Sequence, residues 1–385
     1  MGKKETNFKQ TDIGLIPHDW EVISLGQIGD VKMCKRIFKS QTKESGEIPF
    51  YKIGTFGQTP DAFIPRSIFE QYKAKYSYPT LGVILLSAAG TIGRRVKYKG
   101  EDAYYQDSNI IWLSHIEDKI LNDYLYYAYA RVKWTTEKGA AISRLYNKLF
   151  LSAKTPVPPI EEQKRIAEVL SHFDEHIDNL VALLEKKKQV KAATMHALLS
   201  GTIRLPGFTT PWINKYLREI TSVIRGEILV SSDFKDGPIP VIGGGTTIAG
   251  FHNKANREGK TITISASGAN AGYVSFYTMP IFASDCCTLS EGKVYDIEYL
   301  YQYLRSVQND IYRMQTGGAQ PHIYPKDIES LWISMPASVT EQSAIASVLS
   351  NMDRGLEVLE EQIEKYRQMK EGAMEELLTG KVRLI

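Results

Sequence analysis

The fold of this chain is decided by a stretch that occurs twice. Residues 162–205 read EQKRIAEVLSHFDEHIDNLVALLEKKKQVKAATMHALLSGTIRL, and residues 341–384 read EQSAIASVLSNMDRGLEVLEEQIEKYRQMKEGAMEELLTGKVRL. The two copies align without a gap at an offset of 179, and 19 of their 44 positions are identical. Chance agreement over so long an ungapped alignment would be a few positions, so the chain contains an internal duplication.

Both copies are predicted to be long helices, over 162–200 and 341–379. Neither contains a proline, and each ends at a glycine placed as a helix C-cap, Gly201 and Gly380. Apolar residues recur in alternating steps of three and four, which is a heptad seam. The predicted seam residues are Phe173, Ile177, Leu180, Leu184, Met352, Leu356, Leu359, Ile363 and Tyr366.

A helix of about 40 residues is roughly 60 Å long. Neither neighbouring domain is large enough to cover that length, so the two helices are predicted to cover each other as an antiparallel coiled coil. The alternative is two unrelated amphipathic helices, each packed on its own domain.

The regions between the helices repeat more faintly, and always in the same order. Ile48-Pro49-Phe50 recurs as Ile239-Pro240-Val241, the run 87–90 as 265–268, 107–109 as 285–287, and 124–126 as 299–301. Short apolar runs bounded by Gly, Asp and Asn are typical of strands. The predicted fold is therefore α+β with a pseudo-two-fold internal repeat: a strand-rich domain at 1–158, a helical region at 159–205, a second strand-rich domain at 206–335 and a second helical region at 336–385.

Length and composition agree with a packed, multidomain protein. The chain has 385 residues, of which 43% are hydrophobic and 24% charged, as in ordinary globular proteins. Its apolar runs are far shorter than the roughly 18 residues of a membrane span, and its polar N-terminus lacks a secretory signal. Three cysteines do not suggest a disulfide framework. We expect a cytoplasmic protein.

The net charge of +3 is unevenly distributed. Residues 1–158 carry +7, whereas residues 206–335 carry −1. A basic first domain suits a polyanionic partner, although a mildly basic solvated surface is the commoner reason for such an excess.

Motifs that would indicate catalysis fail on detail. His172, Glu175 and His176 fit an H-x-x-E-H zinc pattern, but the second helix has Asn351, Arg354 and Gly355 there, so a solvated helix face is the better interpretation. The glycine-rich runs 242–246 and 265–272 lack P-loop and dinucleotide-binding spacing and are interpreted as tight loops. The single Pro-Pro pair, at 158–159, lacks the flanking residues of an amino-methyltransferase. The vicinal Cys286 and Cys287 are predicted to be buried rather than reactive. No catalytic or metal site is predicted.

Recognition chemistry remains. Basic side chains crowd two loops of the first domain beside several tyrosines, and the second domain offers more amides. Arg and Lys neutralise phosphates or read guanine edges and the aromatics stack or pack, whereas the second domain would rely relatively more on hydrogen bonds. Surface loops without function would look similar. The candidate DNA-binding residues are Lys35, Arg36, Lys39, Lys43, Thr91, Arg94, Arg95, Lys97, Arg225, Asn253, Lys254, Arg257, Asn270, Gln320 and His322.

The whole layout resembles the specificity subunit of type I restriction-modification systems. The residues that carry the resemblance are P-x-x-x-W-x-x-x-x-L near the start, SAAGTIGRR at 87–95, QDSN at 106–109, GAAISRLYN at 139–147 and PPIEEQKRIA at 158–167. The E-Q-x-x-I-A start of a long helix occurs in both repeats. The second domain departs from the pattern, with SASGANAG at 265–272 and PHIYPKD at 321–327.

The resemblance implies a non-catalytic subunit with two target-recognition domains, each reading one half of a split DNA site. It implies that the paired helices act as a spacer and dock two methyltransferase subunits, with two restriction subunits completing the complex. S-adenosylmethionine, ATP and Mg²⁺ would then belong to the partners, and this chain would bind no cofactor. Two alternatives stay open: a coiled-coil adaptor without a DNA role, and the specificity region of a methyltransferase or nuclease that acts by itself.

Overall fold

The computed structural model describes residues 7–135, 144–318 and 320–385. The chain divides into two compact units: the first comprises Met1–Asn179 and Ile363–Ile385, and the second comprises Leu180–Gln362. Each of the two long helices therefore contributes one half to each unit. Part of the GAAISRLYN run, residues 139–143, lies outside the described residues.

The described residues from 7 through the first long helix form eleven strands and four α-helices. The strands are β1 (Phe8–Thr11), β2 (Gly14–Pro17), β3 (Glu21–Ser24), β4 (Gly29–Lys32), β5 (Ile48–Tyr51), β6 (Phe63–Ile64), β7 (Ile84–Ser87), β8 (Arg95–Lys97), β9 (Tyr104–Tyr105), β10 (Ile110–His115) and β11 (Lys154–Val157). The helices are α1 (Arg66–Lys75), α2 (Asn122–Ala128), α3 (Asn147–Ser152) and α4 (Ile160–Leu199).

The remainder of the chain repeats this succession. The strands are β12 (Trp212–Tyr216), β13 (Ile224–Arg225), β14 (Ile239–Ile242), β15 (Ile248–His252), β16 (Thr261–Ser265), β17 (Val274–Tyr277), β18 (Phe282–Ala283), β19 (Cys286–Ser290) and β20 (Trp332–Pro336). The helices are α5 (Ile297–Ser306), α6 (Gln308–Arg313), α7 (Pro325–Glu329) and α8 (Val339–Leu377).

Both units have the same sheet topology. The first contains a four-stranded sheet β4-β10-β7-β8, a three-stranded sheet β6-β5-β9 and the pair β11-β3. The second contains β13-β19-β16-β17, β15-β14-β18 and β12-β20 in the corresponding places. The hairpin β1-β2 is additional to the first unit and has no counterpart among the described residues of the second. The strand-rich repeat predicted from the sequence is confirmed.

The four-stranded sheet of the first unit is apolar on both faces. Successive side chains of a strand point to opposite faces, and all four residues of β7 are buried. Ile84 and Leu86 pack into one hydrophobic cluster, whereas Leu85 packs into another. A strand that is buried on both faces has a continuous run of apolar residues. Residues 83–86, Val-Ile-Leu-Leu, form such a run.

The two long helices run antiparallel in the first unit. Arg165 of α4 donates a hydrogen bond to the carbonyl of Leu384 just beyond α8 (3.0 Å). Further along α4, Asp174 forms an ion pair with Lys370. Residue numbers thus rise along one helix as they fall along its partner.

The same direction holds in the second unit, where the Lys188 ammonium lies 3.0 Å from the carboxylate of Glu360 and Lys191 pairs with Asp353. The antiparallel pairing predicted from the heptad seam is confirmed. Among the seam residues, Ile177, Leu184, Leu359 and Ile363 are buried, and Phe173, Leu180, Met352, Leu356 and Tyr366 are half-buried.

The first turns of each long helix pack into the hydrophobic core of one unit, and its last turns pack into the hydrophobic core of the other unit. In the first unit, Ile166 and Leu170 of α4 join a cluster that also contains Leu377 of α8. In the second unit, Ile345 and Leu349 take the equivalent places in α8. Both helices end at glycines with positive φ, +72° at residue 201 and +69° at residue 380, as their predicted C-cap role requires.

One detail of the predicted repeat is wrong. The sequence match placed Asp107 opposite Asp285, but backbone hydrogen bonds make Asn109 the equivalent of Asp285. The carbonyl of Asn109 accepts from the amide of Ala88 (2.7 Å), and that of Asp285 accepts from the amide of Ala266 (3.1 Å). The shared Asp-containing triplet is therefore out of register by two residues, because loops of different conformation lead into β10 and β19.

The three cysteines are buried and unpaired with one another. Burial raises the pKa of the Cys34 and Cys286 thiols to about 12. Across the described residues, no helix is both long enough and apolar enough to cross a membrane.

Candidate nucleic-acid interface

A cleft of about 470 Å³ opens on the first unit where three separate segments meet. The turn after β7 supplies Ala88, whose carbonyl accepts a hydrogen bond from the amide of Leu145 (2.8 Å). The amide of Ala88 donates to the carbonyl of Asn109, the residue before β10. We call this site the first cleft. It is lined by Met33, Ser108, Arg144, Leu145, Tyr146, Asn147 and Lys148.

The floor of the first cleft holds one unusual backbone conformation. Ser108 has a φ of +51° and is the sole non-glycine residue with positive φ in the described part of the chain. Such conformations cost free energy and persist where the surroundings hold them. Here the Arg144 guanidinium donates a hydrogen bond to the carbonyl of Ser108 (2.9 Å), and this bond connects two segments that are 36 residues apart.

The second unit builds the same frame. The amide of Ile323 donates to the carbonyl of Ala266 (3.0 Å), just as Leu145 donates to Ala88. His322 therefore occupies the position of Arg144, and Tyr324 that of Tyr146. The surface equivalent to the first cleft is formed by Arg225, Asp285, His322, Tyr324 and Lys326, and for its position in the repeat we call it the second cleft.

Both glycine-rich runs of the second unit contribute to its frame. The Ser265 hydroxyl donates to the carbonyl of Gly244 (2.6 Å), and the Ser267 hydroxyl donates to the Asp285 carboxylate. A Cβ atom at residue 244 would lie 2.9 Å from the carbonyl oxygen of Ser267, so the close approach requires glycine. These runs are tight loops, as predicted.

An exposed tyrosine beside a guanidinium marks each cleft. Tyr146 is 43% exposed and Tyr324 is 40% exposed. The Arg144 guanidinium lies 6.0 Å from the centre of the Tyr146 ring, and the Arg225 guanidinium lies 5.8 Å from that of Tyr324. Exposed aromatic rings with a nearby cation are suited to contacts with phosphates and bases.

The candidate residues of the first domain do not form one group. Lys35, Arg36, Lys39, Lys43 and Thr91 are exposed. Arg36 pairs with Asp107 (2.8 Å), next to the strained Ser108. Of these five, Arg36 lies beside the first cleft through this pair.

The other three basic candidates of this domain point elsewhere. Arg94 is half-buried and donates to the carbonyl of Phe56 (2.9 Å). Arg95 and Lys97, on the opposite face of β8, contact α2: the Arg95 guanidinium lies 4.8 Å from the centre of the Tyr126 ring, and Lys97 pairs with Asp123. A separate cavity of about 940 Å³ adjoins them. The strand alternation of β8 separates these side chains.

The candidates of the second unit also divide. Arg225 and His322 line the second cleft, and Arg225 lies 3.4 Å from the Asp285 carboxylate. Arg257 is half-buried and donates to the Thr288 hydroxyl (2.9 Å) and to the carbonyl of Arg225 (3.1 Å), so it supports the edge of the cleft. The exposed candidates are Asn253, Lys254, Asn270 and Gln320.

Sequence reasoning missed Arg144, Tyr146 and Lys148 in the first cleft, and Tyr324 and Lys326 in the second. A signal was present, because Tyr-x-Lys occurs at 146–148 and again at 324–326. The faint repeat around this motif was interpreted as a departure between the two domains rather than as a match.

A joint of three side chains ties each strand-rich domain to the helices. In the first unit, the Tyr127 hydroxyl donates to Asp174 of α4 (2.8 Å), which also pairs with Lys370 of α8. Burial, and then the hydrogen bond to the carboxylate, raises the pKa of Tyr127. In the second unit, the Gln302 amide donates to Asp353 (2.9 Å), which pairs with Lys191.

Closer to the start of each long helix lies a buried carboxylate. Glu162 is 2% exposed and accepts from Arg383 (2.7 and 2.8 Å) and from the indole of Trp20 (3.0 Å). Glu341 is fully buried and accepts from Arg204 (2.6 and 2.7 Å). The hydrogen bonds to Glu162 raise the pKa of the Arg383 guanidinium.

Comparison with known proteins identifies this duplicated architecture. The family model for the type I restriction-modification DNA specificity domain matches residues 17–191 and again residues 210–366. The chain belongs to this family. A type I specificity subunit has two target-recognition domains, and the two matches cover the two halves of the repeat.

Individual relatives agree. The chain is 26% identical to a putative type I restriction enzyme specificity subunit of Methanocaldococcus jannaschii over 99% of this chain and 98% of that one. It is 53% identical to a putative specificity subunit of Haemophilus influenzae, over 40% of each chain. The crystal structure of a type I S subunit from M. genitalium superimposes with a TM-score of 0.68 at 19% identity, covering 93% of this chain and 96% of that one. That likeness shows a shared fold.

Proposed function

We propose that this specificity subunit recognises a split site in double-stranded DNA, and that each target-recognition domain reads one half. The observation that carries the proposal is the duplicated frame: two domains of one chain hold the same three segments together and present an exposed tyrosine beside a guanidinium. A frame built twice suits a ligand with two comparable parts, such as two stretches of one duplex.

The candidate residues named from the sequence give this surface its charge. Arg36 lies beside the first cleft through its pair with Asp107, and Lys35, Lys39 and Lys43 are exposed on the same domain. Their ammonium and guanidinium groups would neutralise phosphates. Asn253, Lys254, Asn270 and Gln320 would serve the second domain with fewer charges and more amide contacts. Arg95 and Lys97, which face α2, would contribute through the electrostatic field rather than by direct contact.

The subunit itself would be non-catalytic. We propose that it assembles in the cytoplasm with two methyltransferase subunits that bind S-adenosylmethionine and two restriction subunits that use ATP and Mg²⁺. A pseudo-two-fold chain offers each copy of a partner an equivalent surface. The domain limits 1–158, 159–205, 206–335 and 336–385 would divide recognition from spacing and docking.

The test combines this chain with its methyltransferase. We expect tight binding to duplex DNA whose affinity falls steeply with salt, and methylation at a two-part sequence in genomic DNA. Tight assembly with the methyltransferase but no binding to DNA would favour an adaptor role. Methylation by this chain alone with S-adenosylmethionine would favour a self-sufficient enzyme.

A further inference from the structure

We infer that the side chains that differ between the two clefts select the bases, whereas those that are identical hold the DNA backbone whatever its sequence. This inference rests on the proposed function. It assigns base selection chiefly to Arg144 in the first target-recognition domain and to Arg225 in the second. Tyr146 with Lys148, and Tyr324 with Lys326, are assigned to backbone contacts.

The two clefts can be compared position by position because their backbones are held alike. The amide bonds from Leu145 to Ala88 and from Ile323 to Ala266 fix one edge. On the other side, Ser87 pairs with Ile110 in one four-stranded sheet and Ser265 with Cys286 in the other. Equivalent positions thus present side chains to the same place, and differences there are differences of chemistry.

The shared residues have equivalent placements. Tyr146 is the N-cap of α3, Tyr324 is the N-cap of α7, and the lysine two positions later is exposed in both. Lysine is a flexible point charge that suits phosphates. Domains that read different sequences still meet the same sugar-phosphate backbone, so the groups that contact it have no reason to differ.

At the positions that differ, the arginine lies on one side of the first cleft and on the opposite side of the second cleft. Arg144 of the first cleft is replaced by His322 in the second. On the opposite side, Lys32 pairs with Trp112 and Ile224 pairs with Thr288, which makes Met33 the equivalent of Arg225. Each cleft therefore has one arginine beside its tyrosine, but the arginine comes from opposite walls.

This exchange has the chemistry of base selection. A guanidinium presents five donors, and one of the Arg144 nitrogens is used by the carbonyl of Ser108. The remaining donors suit the O6 and N7 acceptors of guanine, the commonest specific contact in the major groove. Moving the guanidinium from one wall to the other moves the selected base pair. We therefore expect Arg144 and Arg225 each to read a guanine, at different positions within their half-sites.

The experiment uses the complete chain with its methyltransferase and maps methylated bases in genomic DNA. Arg144→Gln should relax the requirement for one base pair in one half-site by at least about fivefold and leave the other half-site unchanged. Arg225→Met, which copies the residue of the first cleft, should do the same in the other half-site. Arg313→Gln is the matched control: Arg313 is exposed and pairs with Asp310 on its own helix, and its loss should change neither sequence nor affinity.

The shared residues give a different result. Lys148→Met and Lys326→Met should weaken binding to every DNA sequence alike and reduce the slope of log affinity against log salt by about 1 each, with the methylated sequence unchanged. Thermal unfolding of each variant identifies any that fails to fold, and the two arginines test the inference in separate domains.

Two negative results are distinguishable. If the wild-type complex neither binds DNA nor directs methylation, the proposed function is wrong. If the wild-type complex methylates a two-part sequence and both arginine variants methylate that same sequence with unaltered stringency, the assignment of base selection is wrong. A change of methylated sequence in the lysine variants would overturn it equally.

Discussion

At the scale of single residues, the buried carboxylates Glu162 and Glu341 would cost folding free energy if they were left without partners. Both are almost fully buried, and each forms its ion pair with one arginine from the end of the other repeat. A buried pair adds little net free energy when intact, but removal of one partner leaves an uncompensated charge. Arg383 and Arg204 therefore compensate the buried charges of Glu162 and Glu341 near the starts of α4 and α8.

We expect Arg383→Met to lower the free energy of unfolding by about 3 kcal/mol, and Arg204→Met to lower it as well because Glu341 would lose its partner. Urea denaturation followed by circular dichroism measures the change. Lys164→Met is the control, because Lys164 pairs with Glu161 on an exposed face of α4 and should cost less than about 0.5 kcal/mol. Equal denaturation midpoints for the arginine variants and the control would refute this account.

The buried thiols give a second residue-scale prediction. The ordinary thiol pKa of 9.0 is raised by burial to about 12 at Cys286 and to about 11 at Cys287. Only the thiolate is nucleophilic, so at pH 8 the folded protein should react with a thiol reagent many times more slowly than the unfolded chain. In the unfolded chain all three cysteine thiols should react. Because the folded pKa exceeds the unfolded one, stability should fall as the pH rises above about 9. Rapid labelling of three thiols in the native protein at pH 8 would contradict the burial.

At the scale of secondary-structure elements, the joints at Asp174 and Asp353 connect three elements at once. Each aspartate lies on one long helix, pairs with a lysine of the other, and accepts a hydrogen bond from a side chain of the neighbouring strand-rich domain. Orientation of the domain and pairing of the helices are thus fixed by the same carboxylate. Lys188 and Glu360 also join the helices, but they are largely exposed.

We expect Asp174→Ala to lower the free energy of unfolding by about 1 to 2 kcal/mol, because the buried Tyr127 hydroxyl and Lys370 both lose their partner. Glu360→Gln should cost less than about 0.5 kcal/mol. A double-mutant cycle between Asp174→Ala and Lys370→Met, read by urea denaturation, should give a coupling of about 1 kcal/mol. Strict additivity of the two changes would mean that the joint contributes nothing.

At the scale of the whole molecule, the first unit is completed by the far end of the chain. Lys370, Leu377, Leu378 and Arg383 supply its second helix and its buried ion pair. The duplication places identical residues 179 positions earlier, at Lys191, Leu198, Leu199 and Arg204. A shortened chain of residues 1–206 therefore carries both a site that needs these side chains and a copy of the side chains themselves.

We expect the chain of residues 1–206 to form a symmetric dimer in which each copy fills the site of the other. With the methyltransferase supplied, it should direct methylation to a palindromic sequence built from one half-site. Sedimentation velocity reports the association, and Arg204→Met in the shortened chain should weaken it because Arg204 would take the place of Arg383. A stable, folded monomer would refute the exchange.

The sequence by itself was sufficient for the elements whose signals are local and repeated. The long helices follow from the heptad period, the absence of proline and the terminal glycines, and their duplication follows from the alignment. The heptad seam also predicted the pairing of the helices, since an apolar stripe of that length requires a partner of equal length. The E-Q-x-x-I-A start of both helices is also one of the motifs that carry the family resemblance.

What the sequence could not provide is which distant segments meet. The alignment shows that Asp174 and Asp353 occupy equivalent positions of the repeat, as do Lys191 and Lys370. In the structure each aspartate binds the lysine of the other repeat: Asp174 binds Lys370, and Asp353 binds Lys191. The antiparallel packing of the two long helices determines this pairing. Likewise, Arg144 reaches Ser108 only because the sheet brings β10 beside the segment that precedes α3.

The basic side chains show the same limit within a single strand. Arg94, Arg95 and Lys97 are one cluster in the sequence, yet Arg94 faces Phe56 and the other two face α2. Local periodicity determined the helices, the strands and their repetition, because those signals lie within a few residues of one another. The clefts and joints were decided only by tertiary structure, because their free energy comes from contacts between residues far apart in the chain.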